Sequence, residues 1–391
     1  MHPGGAEGVA AVPSTHDTAT GVVANPVGDC GDINAPIASS QAPVKAIAQP
    51  APKSFHHTAY PNATYAALDL GTNNCRLLVA RPSRDGFRIV DAFSRIVRLG
   101  EGLTQSGRLS EQAMQRTLGA LEVCRAKLEA RHVTRARLIA TEACRMAENG
   151  AEFVERVRTE VGLELEIVDR ETEAHLAAGG CASLADPQAE GIVLFDIGGG
   201  SSEIVWLDRA SAQTHNLRQR VRAWASLQLG VVTLAEKFGG HDVTPETFDA
   251  MVDHVSEALS DFAARTAKAR RCSRFHLLGT SGTVTTLAGV HLGLMRYDRR
   301  RVDGLWMSSA DVNRAVDGLR AMSFAERAQN GCIGPDRADL VLAGCAILEA
   351  IRKVFPAQRV RIADRGLREG ILMQMMDADH VWQGGSRGDR W

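Results

Sequence analysis

Two aspartates, Asp69 and Asp196, each close an apolar run and are each followed two residues later by a glycine and a turn of small polar residues. The first run reads Asp69-Leu70-Gly71-Thr72-Asn73-Asn74, the second Asp196-Ile197-Gly198-Gly199-Gly200-Ser201-Ser202-Glu203. A phosphate needs several N–H donors converging on its oxygens, and only a turn of glycine and small hydroxyl or amide residues lets the backbone come that close. A carboxylate at the strand end can hold Mg²⁺, directly or through water, while the metal bridges phosphate oxygens. Either turn alone is also what an ordinary ligand-free hairpin looks like. Two copies, one with three successive glycines that a plain turn does not need, favour phosphate binding. A third segment, Gly279-Thr280-Ser281-Gly282-Thr283, follows the apolar run Phe275 to Leu278 and precedes a helical stretch from Val284 to Gly289. Strand, glycine-rich turn and helix N-terminus together make an anion site.

The elements that must position these residues alternate between short β-branched runs and longer stretches of helical period, the pattern of an α/β fold. Tyr65 to Leu70 and Cys75 to Ala80 read as a hairpin, and Gly191 to Ile197 as a further strand. After Ser110, the spacing of Met114, Leu118, Leu121, Cys124 and Leu128 predicts a helix. Arg137 to Thr141 and Leu163 to Val168 read as strands, with Asn149 as the N-cap of a helix that stops at Gly162. Aligned on Asp69 and Asp196, the two hairpins are copies of one unit, which implies two lobes of the same fold. The expected organisation is lobe I over 61–173 with the first phosphate loop, and lobe II over 174–364 with the second loop and the Gly279–Thr283 turn. A C-terminal helix over 365–378 is expected to pack back near lobe I. Residues 1–60, with seven of the thirteen prolines, read as a disordered tail, and 379–391 as a loose one.

Composition narrows the functional classes. The formal net charge of -1 leaves attraction for an anion to local clusters. The eight cysteines are scattered without a CxxC pair, which excludes a zinc site and fits a reducing cytoplasm. No apolar run approaches the ~20 residues of a membrane span. The first 60 residues contain no arginine, unlike a transit peptide, so a cytoplasmic location is expected. No histidine falls in any motif, which leaves a phosphohistidine intermediate without support. The run Tyr297-Asp298-Arg299-Arg300-Arg301 reads as a solvated loop, with a polyanion track as the sharper alternative.

Together with Ala140-Thr141-Glu142-Ala143-Cys144-Arg145, Glu171-Thr172-Glu173-Ala174 and Asp364-Arg365-Gly366-Leu367-Arg368-Glu369-Gly370, these motifs resemble the exopolyphosphatase and guanosine pentaphosphate phosphohydrolase (Ppx/GppA) family over residues 64 to 376. The resemblance implies two actin-like (RNase H-like) lobes with the active site in the cleft between them. It also implies a hydrolase dependent on Mg²⁺ (or Mn²⁺), acting on inorganic polyphosphate or guanosine pentaphosphate. Carried over by motif, the catalytic residues are Arg145 as a phosphate clamp, Glu173 and Glu203 as carboxylates that activate or orient water, and Asp196 as the metal-side acid. Asp69, Asp196 and Glu203 would hold the metal. Thr172, Asn74 and Ser281 depart from the usual Glu, Ser and Gly. An alarmone-binding regulator without turnover is the reading from another class; no membrane and no specific nucleic acid are expected as partners, and a homodimer is allowed.

Overall fold

The computed structural model describes residues 22–24, 63–84, 86–208, 220–267, 271–272 and 274–382. The first lobe is built on a five-stranded sheet of β2 (Tyr65–Leu70), β3 (Asn74–Ser83), β4 (Gly86–Ile96), β5 (Arg135–Ala140) and β6 (Glu166–Ile167), in the order β4-β3-β2-β5-β6. The second is built on seven strands: β1 (Val22–Ala24), β7 (Gly191–Ile197), β8 (Ser202–Asp208), β9 (Val221–Leu227), β10 (Phe275–Thr280), β11 (Trp306–Ser308) and β12 (Arg359–Ala363), in the order β1-β9-β8-β7-β10-β12-β11. In each sheet a hairpin is extended by a parallel strand: β2 lies antiparallel to β3 and parallel to β5, and β7 antiparallel to β8 and parallel to β10. The internal repeat is therefore a repeat of topology.

Helices cover both faces of both sheets, which is why the central strands read as apolar runs without alternation. One face of the first sheet, through Ala66, Leu68 and Leu77, meets Leu118, Leu121 and Cys124 of α2 (Glu111–Ala130), which follows the short α1 (Leu103–Ser106). Ser110 caps α2 by accepting the Ala113 N–H. Then come α3 (Glu142–Met146), α4 (Gly150–Arg156) and α5 (Arg170–Cys181). The outer layer of the second lobe holds α6 (Val231–Phe238), α7 (Pro245–Ala258), α8 (Ser260–Arg265), α9 (Gly282–His291), α10 (Arg299–Val302), α11 (Ser309–Ala321), α12 (Phe324–Gln329) and α13 (Val341–Val354).

Between the sheets lie α5 and α14 (Leu367–Ala378). Ala174, Ala178 and Cys181 of α5 pack on the second sheet, and Ile371, Leu372 and Met375 of α14 pack on the first. The two helices touch through glycines. A Cβ at Gly180 would stand 1.9 Å from the Gly366 carbonyl oxygen, and one at Gly370 would stand 2.0 Å from that of Leu176.

Four local expectations change. Asn149 does not cap a helix with its side chain; it exchanges two hydrogen bonds with the Leu109 backbone, at 2.8 and 3.0 Å, and ties that loop to lobe I. The helix it precedes ends in a π-turn, Val157–Val161, stopped by the left-handed Gly162. The strand expected over Leu163 to Val168 shortens to Glu166–Ile167, because it pairs only with the last two residues of β5. The stretch after 378 is held at its start: Asp379 accepts from the Tyr65 hydroxyl at 2.8 Å, and the Trp382 indole N–H donates to Ser83 O. Residues 383–391 lie outside the described residues, as does 1–60 apart from Val22–Ala24, which pairs antiparallel with β9.

Gly180→Ala should destabilise the protein by about 1 to 3 kcal/mol in urea denaturation, since the added methyl forces two backbones apart. Gly119→Ala, in an open position of α2, should instead stabilise it by about 0.5 to 1 kcal/mol. Equal effects at both sites would show that the close approach at Gly180 is not a stability constraint.

Candidate active site

The two repeated turns meet face to face. Loop 1 is closed by Gly71 N–H donating to Asn74 O at 2.9 Å, and its own carbonyls at Thr72 and Asn73 are held by the backbone of Val97, Arg98 and Gly100. Loop 2 closes likewise, Gly198 N–H to Ser201 O at 2.9 Å. None of Gly198, Gly199 and Gly200 has a positive φ. They are glycine because of what touches them: a Cβ at Gly199 would stand 3.0 Å from Thr72 Cβ, and one at Gly200 would stand 2.6 Å from Thr72 Oγ. Contact between the lobes accounts for Gly199 and Gly200, while a Cβ at Gly198 would stand 2.8 Å from the Ser201 carbonyl oxygen of its own loop.

The cleft beside this contact is lined by Asp69, Gly71, Thr72, Asn73, Asn74, Glu173, Asp196, Gly198, Gly199, Gly200, Ser201 and Glu203, with Thr280, Ser281, Gly282 and Thr283 of the third segment. Ser281 adopts φ 80 without being glycine, and its hydroxyl donates to the Ile197 carbonyl. Backbone strain is thus stored where α9 begins, directly behind loop 2.

Burial dominates the electrostatics of the acids. It raises the carboxyl of Asp69, and lifts Asp196 to about 6, with the Asp69 charge adding to the effect. Glu203 is pushed up to about 7, first by burial and then by Asp196; the Ser201 and Ser226 hydroxyls, donating to its Oε1 at 2.7 and 2.9 Å, oppose the shift. Glu173 is also raised well above the ordinary carboxyl range, by burial and then by Glu203, against the pull of Arg145. Each glutamate is thus held through one oxygen and leaves the other without a hydrogen bond among the described residues.

Three motif residues stand elsewhere than expected. Gly279 is a strand residue of β10 packed against the Phe195 ring and does not line the cleft. Ser202 turns its hydroxyl to Leu229 O at 2.7 Å and is fully buried. Arg145, expected as a phosphate clamp, is not among the lining residues: its guanidinium donates to Glu142, to Glu173 Oε2 at 3.0 Å and to the Val168 carbonyl, which takes up four of its five N–H donors on the protein.

Cationic groups that sequence reasoning missed line the cleft instead: Arg76, Arg337, Arg365 and Arg368. Arg76 and Arg368 make no hydrogen bond or ion pair among the described residues, and Arg337 donates only to neutral acceptors, Ile333 O, Thr286 Oγ and Cys332 O. Burial and then the Arg76 charge hold the Arg337 guanidinium below its ordinary range. A Cβ at Gly282 would lie 3.9 Å from both Arg76 Nη2 and Arg337 Nη1, so arginines from the two lobes converge on the first turn of α9. The repeat itself carried a signal for Arg76. Asp69 pairs across its hairpin with Arg76, and Asp196 pairs with Glu203, so the two occupy equivalent positions.

Among the described residues no group of three or more His, Cys, Asp or Glu is arranged to hold a metal. Asp69 and Asp196 stand at equivalent strand ends, and the Asp69 charge raises the Asp196 carboxyl. Such a pair fits Mg²⁺, which keeps several waters and takes one or two carboxylates together with substrate phosphate.

A two-lobed, actin-like α/β phosphohydrolase is the class that this fold and cleft define. The chain belongs to the Ppx/GppA phosphatase family, whose pattern matches residues 78–379. A relative from Haemophilus influenzae is 27% identical over 313 residues, 79% of this chain and 90% of that protein. The Aquifex aeolicus Ppx/GppA family member superposes with a TM-score of 0.67 at 28% identity, covering 81% of this chain and 98% of its own. An exopolyphosphatase from Cytophaga hutchinsonii gives 0.73 at 25% identity, covering 81% and 98%. No described helix is long and apolar enough to cross a membrane.

Asp196 and Glu203 hold their protons more tightly in the folded than in the unfolded chain, so their contribution to stability is full at acid pH and is lost as pH rises through 6 and 7. The thermal midpoint of metal-free protein should therefore fall between about pH 5 and about pH 8. Glu203→Gln, which imitates the protonated acid, should flatten that fall. An unchanged slope in this variant would contradict the raised pKa.

Proposed function

We propose that the cleft hydrolyses the terminal phosphoanhydride of inorganic polyphosphate, with guanosine pentaphosphate as a second substrate presenting the same bond. The observation that carries this reading is the convergence of Arg76, Arg337 and Arg368, without a carboxylate hydrogen-bonded to any of them, beside two carboxylates of raised pKa. Guanidiniums that repel one another in a half-buried cleft gain most from an anion with several oxygens. The cleft also holds more carboxylates than guanidiniums, so a polyphosphate entering it needs a cation. Mg²⁺ on Asp69 and Asp196 would supply the charge neutralisation that phosphoryl transfer requires.

In this reading Glu173 is the base. Arg145 anchors its Oε2 and favours its ionised form, while the free oxygen accepts a proton from water. Glu203, fixed by Ser201 and Ser226, orients that water. The water oxygen bonds to the terminal phosphorus, the bond from phosphorus to the bridging oxygen breaks, and the shortened chain leaves with the electron pair while Arg76 and Arg368 take up the charge.

Phosphate release from tripolyphosphate, long polyphosphate and guanosine pentaphosphate, side by side with and without Mg²⁺, tests the reading; release from none of them refutes it. Glu173→Gln should lower kcat by ~10² to 10⁴ with little change in KM. A near-normal Glu173→Gln beside an inactive Glu203→Gln would exchange the two roles. Arg145→Ala removes an interaction that favours ionised Glu173, so the pH at which activity appears should move upward. A rise in KM alone would return Arg145 to the clamp role. Calorimetric Mg²⁺ binding should be lost in Asp69→Asn and Asp196→Asn; retention in both would remove the pair as metal ligands.

A further inference from the structure

Arg98 has a left-handed backbone, φ 47, although it is not glycine, and a conformation of that kind persists only where its surroundings enforce it. Those surroundings belong to both lobes. On the lobe I side, the Arg98 N–H donates to Asn73 O at 3.1 Å, beside the Val97 N–H on the same oxygen at 2.9 Å and the Gly100 N–H on Thr72 O at 2.9 Å. Arg116 of α2 fixes this segment from below, donating to the carbonyls of Val97 and Arg98 at 3.1 and 3.3 Å. On the lobe II side, the Arg98 guanidinium forks onto Asp339, at 3.0 Å to Oδ2 and 3.1 Å to Oδ1, and donates to Asp336 O at 3.0 Å. Asp336 and Asp339 flank Arg337, the lobe II arginine that meets Arg76 at the start of α9.

We propose that Arg98 is a positioning residue for the terminal phosphate: its backbone holds loop 1, its side chain holds the turn that carries Arg337, and it sets the spacing between the phosphate grips of the two lobes. The inference rests on the reading of Arg337 as a phosphate ligand. A second bridge from the same segment keeps the approach in register, since Glu236 of α6 accepts the Gly102 N–H at 2.9 Å and the Thr104 hydroxyl at 2.7 Å. Both members of the Arg98–Asp339 pair are about one-third exposed, at 32% and 29%. A pair of that exposure adds little to global stability, so its effect lies in geometry.

Asp339→Asn, Arg98→Asp and the reversed pair Arg98→Asp/Asp339→Arg form the test. Aspartate tolerates the left-handed region, so the bond to Asn73 survives the change. In each single variant the dissociation constant of inorganic phosphate, measured by calorimetry, and the KM for tripolyphosphate should rise about tenfold, because misplacement of a grip by a fraction of an ångström is costly. Amide exchange without ligand should quicken in both 71–76 and 331–341, with the thermal midpoint unmoved. The reversed pair should recover most of the loss. Unchanged phosphate affinity and exchange in the single variants, or a reversed pair as impaired as either of them, would overturn the inference. Wild-type protein that releases phosphate from no substrate would refute the hydrolytic reading instead, and the affinity and exchange measurements would still decide the role of Arg98.

Discussion

Where α5 crosses α14, the backbones at Gly180 and Gly370 run so close that one methyl group on either would overlap a carbonyl oxygen. Each helix spreads its apolar face over a different sheet, α5 on the second and α14 on the first, so this crossing joins the two lobes at a fixed separation. The active-site groups hang from it. Glu173 lies in the first turn of α5, Arg368 in the first turn of α14, and the loop from Asp364 to Gly366 is held by its neighbours on every side. Thr280 donates to the Arg365 carbonyl at 2.7 Å, Tyr297 to Asp364 Oδ2 at 2.6 Å, and Gly366 to Glu369 Oε2 at 2.9 Å. Arg299, which reads as part of a basic surface run, turns inward to Glu369 at 2.9 Å and to the Asp364 carbonyl.

The price of this rigidity is a set of carboxylates held out of water. Burial is the largest cause of every upward shift among Asp69, Glu173, Asp196 and Glu203, and the acids raise one another in turn. Titratable groups forced away from their ordinary range at a cleft are the raw material of acid–base chemistry. Burial likewise lowers the guanidiniums of Arg337 and Arg368 in the same cleft.

Much of the framework was legible along the chain. The hairpins after Tyr65 and Gly191, the strand at Phe275 and the helix after Ser110 follow from local apolar pattern and turn chemistry, and the duplicated Asp-x-Gly turn exposed the two-lobed plan. Residues whose roles depend on distant partners escaped. Arg337 is not singled out by the sequence, because nothing local says that Arg98, over 200 positions earlier, grips its neighbours. Gly198 to Gly200 line the cleft as expected, but the contact of Gly199 and Gly200 with Thr72 of the other lobe could not be read locally. Arg145 belongs to a motif of the family, yet the Glu142 and Glu173 carboxylates that surround it are brought near only by α3 and α5.

The equivalence of position 76 in one hairpin and position 203 in the other bears on symmetry. Were the halves identical, as in a dimer of one ancestral unit, both positions would carry the same residue. On the proposed reading, two arginines would leave the water beside Glu173 without the carboxylate that orients it, and two glutamates would repel the anion before it arrived. With both halves in one chain each copy varies alone, so that an Asp69–Arg76 pair and an Asp196–Glu203 pair line one cleft. On that reading the broken twofold symmetry, one arginine in one hairpin and one glutamate in the other, serves the chemistry.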